Sequence, residues 1–234
     1  MRNKILNLAL SLGLLAGAMV LFQFTNLDIW VQDHIYDFAK HRWPIEKQDT
    51  LLRILFYTGA KTALGIAAGV LLAWLLLPVR WRPKPLRQWE LPWPKRRLWL
   101  VLLCLAVIPI VIGTMKSRSD LYCPWSIDRY GGDRPHLHFF DPLPADYPPD
   151  CGQCFPAAHA SGGFALLGLY YLADSRRGRW TGFVIGMTAG WVMGIYQMLK
   201  GAHFLSHTVV TMLIALIIVQ VLAWLLRIHK PDTA

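Results

Sequence analysis

Three polar clusters interrupt an otherwise apolar chain: Lys116–Pro124 (KSRSDLYCP), Cys154–Gly163 (CFPAAHASGG) and Gly201–His207 (GAHFLSH). Their residue types suit phosphoryl transfer. The His203 imidazole is basic near neutrality, so it can attack phosphorus and hold the phosphoryl group covalently; it can equally serve as an interfacial helix cap. His159 stands in Pro156-Ala157-Ala158-His159-Ala160-Ser161-Gly162-Gly163. Proline and small side chains there suit a tight helix start, whose amides around Ala158 and Ala160 face an anion while Ser161 adds a hydroxyl. The same small residues permit close helix packing, a role that leaves the histidine unexplained. Lys116 either brings a cation to a phosphate or snorkels to lipid headgroups. Ionisable groups at a membrane boundary carry a solvation cost, so their convergence points to function.

Helices must position these clusters. The chain has 234 residues, 55% hydrophobic and 16% charged. That composition predicts a single all-α membrane domain over 1–234. Crossing the hydrocarbon takes roughly 20 residues. The apolar runs, extended at their polar ends, place spans at 5–24, 60–77, 98–115, 156–173, 181–199 and 205–226. Met1-Arg2-Asn3-Lys4 followed by an apolar run has a signal-peptide look, but five further spans favour retention as the first helix. Arg2, Lys4, the Arg80–Arg97 connection, Arg176, Arg177, Arg179, Arg227 and Lys230 all fall on one side of a six-span bundle. That side is then cytoplasmic, with both termini, and the three clusters lie on the outer side. The formal charge of +10 is thus topological, and no module for reading nucleic acid is visible. Gln32–Glu46 is expected as a short amphipathic interfacial helix, and Pro83–Pro94 as an ordered surface strap.

Cys104 reads as a packing residue within a span. Cys123, Cys151 and Cys154 fall on the outer side, where disulfides are permitted. One pair can staple the long third loop; free thiols, a redox pair or half a zinc site at Cys151-Gly152-Gln153-Cys154 are the alternatives.

Together these residues resemble the type 2 phosphatidic acid phosphatase (PAP2) superfamily of membrane lipid phosphatases. Its pattern is Lys, six residues, Arg-Pro; then Pro-Ser-Gly-His; then Ser-Arg, five residues, His, three residues, Asp. Here the first motif begins at Lys116 and ends on Cys123-Pro124, and the second falls on Pro156–His159. In the third, Tyr196 and Gln197 take the serine and arginine positions, His203 the histidine and His207 the aspartate. The likeness covers about Lys61 to the end. Both motif arginines, the serine of the second motif and the aspartate are replaced. Arginine grips phosphate as a two-pronged fork, which neither Cys123 nor Gln197 reproduces. His207 can fix a tautomer but lacks the charge that steadies an imidazolium.

The resemblance implies a six-span bundle and a phosphatase of lipid-linked phosphate or pyrophosphate, needing neither metal nor cofactor. His203 is the implied nucleophile, His207 its orienting partner and His159 the general acid. Lys116, Ala158, Ala160, Ser161 and Gln197, with Arg118, Arg129 and Arg134 from the loop, are the implied phosphate ligands. Arg129-Tyr130-Gly131-Gly132 is expected to fold over a headgroup. The implied substrates are membrane phospholipids, polyprenyl pyrophosphates or lipid A, met at the periplasmic face of a bacterial inner membrane. The alternatives are a lipid-to-lipid phosphotransferase and an inactive lipid-phosphate binder or transporter.

Overall fold

The computed structural model describes residues 2–46, 49–81, 84, 91–145, 147 and 152–228. The strap expected at Pro83–Pro94, Cys151 and Lys230 lie largely or wholly outside them. Among the described residues the regular structure is helical, with two isolated bridges. In chain order it comprises α1 (Arg2–Phe24), a short α2 (Leu27–Asp33), α3 (Thr50–Leu76), α4 (Lys95–Lys116), α5 (Ala158–Ala165), α6 (Arg176–Leu199) and α7 (Leu205–Leu225). Five of these, α1, α3, α4, α6 and α7, are long and apolar enough to cross a membrane.

The segment around His159 is built differently. After eight residues α5 tightens into 3₁₀ turns over Leu166–Tyr171. At about 1.5 and 2.0 Å per residue, those 14 residues reach roughly 24 Å, against a hydrocarbon core of roughly 30 Å.

Local chemistry sets the boundaries. The helix of α3 starts at Thr50, ahead of its hydrophobic run, because the Asp49 carboxylate accepts from the Leu52 amide at 2.9 Å. A π turn at Ile54–Thr58 follows, and a Cβ at Gly59 would stand 2.5 Å from the Ile54 carbonyl oxygen. Ser175 caps α6 by accepting from the Gly178 amide at 3.1 Å.

The core lies among α4, α5 and α7, where Leu100, Cys104, Ile108 and Ile112 meet Phe164, Leu167, Ala215 and Val219. Against it α6 packs by backbone contact. Gly182, Gly186, Gly190 and Gly194 recur every fourth residue, the spacing of one helix face. A Cβ at Gly186 would lie 2.5 Å from the Leu167 amide nitrogen, and one at Gly182 would lie 2.6 Å from the Leu169 carbonyl carbon. At Gly190 it would enter the Phe164 ring. Small residues allow this approach, and every side chain larger than hydrogen would push α6 off α5.

At the end opposite the histidines, two arginines counted as topological charge make structural bonds. Arg97 donates to the Leu172 carbonyl (2.8 Å) and the Asp174 carboxylate (2.5 Å), and buried Arg179 donates to the Asp174 carbonyl (2.7 Å).

The expected helix at Gln32–Glu46 is corrected. The helix is Leu27–Asp33, and Asp37 bridges to Arg42 beyond it. The Asp37 carboxylate accepts from the amides of Ala39 and Lys40, both at 3.1 Å, which favours a turn over a continued helix.

Candidate active site

All three clusters meet at one end of the bundle. The third sits on the α6–α7 turn, where Gly201 takes φ +69° and the Trp43 ring packs flush against it. Two long-range bonds from α2 hold this turn. Buried Gln32 donates from Nε2 to the His203 carbonyl at 2.7 Å, and Asp28 accepts from the Ser206 amide at 2.8 Å, capping α7 from outside.

The His203 ring is 2% exposed, with its Nδ1 3.2 Å from Nδ1 of His207 and 3.7 Å from Sγ of Cys154. The Cys154 carbonyl lies within hydrogen-bond reach of both imidazoles. With Nδ1 facing His207, Nε2 of His203 is the nitrogen left for a reacting atom. Burial first, then the neighbouring His207, holds the His203 imidazole well below the usual histidine range, so the neutral ring with a free lone pair is favoured. Behind His207 lies a cavity of about 10 Å³, shared with Asp28, Ser206, His136 and His138. Burial raises the Asp28 carboxyl to about 6.

His159 approaches from α5, with its ring centroid 6.0 Å from that of His203. The segment before it is clamped to α7: the Ala157 amide donates to Oγ1 of Thr211 at 2.9 Å, and that hydroxyl donates to the His207 carbonyl at 2.7 Å. Burial is the main influence on the His159 ring, and the charges of Lys116, Lys200 and Lys61 also act on it through space. Lys116 also donates to the Gln153 carbonyl. Lys200 is 8% exposed and stands 5.3 Å from the centroid of the Tyr196 ring. Lys61 comes from α3, which meets α5 where Leu64 approaches Gly162, one turn further along both helices.

The first two clusters are tied together. The Gln153 and Cys154 amides donate to the Ser119 and Leu121 carbonyls at 2.7 and 3.1 Å, and Cys123 is disulfide-bonded to Cys154. Of the three outer cysteines considered from sequence, these two pair.

Most of the other expected ligands are engaged elsewhere or buried. Arg129 makes a two-pronged pair with Asp33 (2.8 and 2.6 Å), and the Gly131 and Gly132 amides donate to the Asp128 and Ile127 carbonyls. This turn is therefore a structural knot packed through Tyr130 onto Tyr36 and Trp43, rather than a clamp of bare amides. Arg134 pairs with Asp133 and lies over the Tyr122 ring, while Arg118 is exposed. The Ser161 hydroxyl donates to the Ala158 carbonyl at 2.6 Å, Ala160 is buried, and buried Gln197 gives its carbonyl to the Ala202 amide.

Asp28, Gln32, Lys61 and Lys200 escaped the sequence reading. Lys200, three residues before His203, and the glycine repeat of α6 had visible signals; Asp28 and Gln32 act across more than 170 residues and had none.

A family model described as the PAP2 superfamily matches residues 97–230, more than half of the chain. Neither a curated protein nor a solved structure matches it.

Proposed function

Because this chain belongs to the PAP2 superfamily, we propose that it is a phosphatase of lipid-linked phosphate or pyrophosphate, working through a phosphohistidine. The family points to phosphatase chemistry on phosphate-bearing substrates. The observation that carries the finer reading is His159 facing His203, with ring centroids 6.0 Å apart. Nε2 of His203 attacks phosphorus, while its Nδ1–H is held by Nδ1 of His207. The phosphorus–oxygen bond breaks, and His159 gives its proton to the departing oxygen. Lys116, Lys200 and Lys61, with the first amides of α5, hold the equatorial oxygens in place of the missing arginines. Water, deprotonated by His159, then cleaves the phosphorus–nitrogen bond and frees phosphate. Asp28, across the small cavity from His207, supplies the negative charge that position 207 lacks.

The reading includes six spans, with α5 and its 3₁₀ turns as the fourth, both termini cytoplasmic and the site at the outer face of a bacterial inner membrane. Beside Lys200 a pocket of about 400 Å³, walled by Trp43, Trp125 and Tyr130 and rimmed by Arg42 and Glu46, gives room for a polar headgroup. The replaced arginines favour a second reading, a lipid-phosphate binder.

Phosphate release in mixed micelles from phosphatidic acid, phosphatidylglycerol phosphate, undecaprenyl pyrophosphate and lipid A, with EDTA present, separates them. EDTA-resistant release is expected. Tight binding without release, or transfer of phosphate only to a second lipid, points to a binder or a phosphotransferase respectively.

A further inference from the structure

We propose that Cys123, Cys154, His203 and His207 form a Cys₂His₂ site for a tetrahedral divalent metal ion, zinc above all, which the disulfide keeps closed in the oxidised protein. Ligand atoms of Cys154, His203 and His207 all lie within 4.8 Å of one another. Sγ of Cys154 is 3.7 Å from Nδ1 of His203, which is 3.2 Å from Nδ1 of His207. Around a zinc ion with its usual bond lengths, the edges of a tetrahedron are roughly 3.6 Å between sulfur and nitrogen and roughly 3.3 Å between two nitrogens. Two of the three edges thus already stand at tetrahedral spacing, and the third closes within 4.8 Å. The fourth is supplied by the partner in the disulfide: Cys123 has its Cα 5.3 Å from that of Cys154, so cleavage leaves a second thiol beside the same point.

Charge supports four ligands over three. Cys154 is fully buried and both histidines are 2% exposed, so a net charge there is costly. The Lys116 charge also acts on both rings. Two thiolates cancel the charge of the ion and give a neutral centre; one would leave a buried positive charge near Lys116. Sulfur and imidazole are also the donor set that zinc prefers.

The step balances with a dithiol as reductant. Its thiolate attacks Cys123, which is the more accessible sulfur, and the Cys123–Cys154 bond breaks. The second thiol of the reductant resolves the mixed disulfide and leaves with it as an oxidised dithiol. Both protein thiols then lose their protons to solvent as the metal binds. A neutral imidazole has one lone pair, so metal on Nδ1 of His203 puts the proton on Nε2. If the proposed reaction holds, the metal-bound form is inactive, and this consequence alone rests on that reading.

The test is a Co²⁺ titration of the full-length protein in detergent, without oxygen, before and after reduction by a phosphine. The reduced protein is expected to give the visible bands of tetrahedral Co²⁺ and a thiolate charge-transfer band, saturating at one equivalent and bleached by Zn²⁺. The oxidised protein is expected to give neither, and Cys123→Ser to roughly halve the charge-transfer intensity. The idea is overturned if the reduced protein keeps its helical circular dichroism yet shows no tetrahedral bands. Loss of helical signal on reduction, or identical bands in the oxidised protein, also overturns it. Phosphate release from the same samples is scored separately: none from any sample removes the phosphatase reading and leaves the cobalt result standing.

Discussion

The two facing histidines are mounted by different physics. His159 rides on α5, which is seated by backbone contact against the glycine face of α6, with Gly163 meeting Ala189 and Gly190 meeting Phe164. His203 sits in a turn held by polar bonds from α2, through Gln32 and Asp28. Tight packing tolerates no added volume, whereas a polar clamp can lose one bond and keep its shape. Damage to the first mounting should therefore appear in stability, and damage to the second in activity.

The largest effect is expected at Gly190→Val. Its side chain enters the Phe164 ring, and overpacking of this kind costs about 1–3 kcal/mol or more. Thermal unfolding in detergent should show a Tm well below wild type and a fall in monodisperse yield; an unchanged Tm would break the contrast at its packing side.

Asp28→Asn sharpens the polar side through pH. Burial raises the Asp28 carboxyl from 3.8 to about 6, so its contribution to stability is fully present below pH 3.8 and is lost as pH rises through about 6. Asparagine cannot ionise and escapes that loss. The stability of the variant relative to wild type should therefore be greater at pH 8 than at pH 5, by roughly 1–1.5 kcal/mol. Its kcat should fall about tenfold, because the charge behind His207 is gone. Unfolding curves at both pH values, run beside kcat, check both.

Gln32→Met removes the bond to the His203 carbonyl. About 1–2 kcal/mol of lost positioning corresponds to roughly a fivefold to thirtyfold lower kcat, with KM near wild type. A shift confined to KM would mean that Gln32 shapes substrate binding instead. Arg129→Ala should do least, about 0.2–1 kcal/mol of stability, as expected for an exposed ion pair with Asp33. A large loss of phosphate release in that variant would return Arg129 to the substrate.

This division also explains what could be read in advance. The helical class was legible because apolar runs are local, and the three clusters because their residues are close in sequence. The α6 glycine face was equally local, a four-residue repeat from Gly182 to Gly194. Asp28 and Gln32 were not legible: each acts on the α6–α7 turn across more than 170 residues, and neither carries periodicity that betrays a partner. Arg129 looked available because its partner Asp33 is 96 residues away. The helix of α2 was misplaced because the turn at Asp37 depends on side-chain bonds to nearby amides, which compete with helix without changing the pattern of hydrophobicity.

The central claim is that phosphorus passes through His203. Labelled lipid phosphate should be mixed with the protein, quenched in alkali within milliseconds, and the protein assayed for a bound phosphoryl group that survives base and is lost in acid, as a phosphohistidine is. Label on wild type and on Gln32→Met, mapped to His203 and absent from folded His203→Ala, is the expected result. Equal label on His203→Ala, or phosphate release by that variant at the wild-type rate, would contradict it.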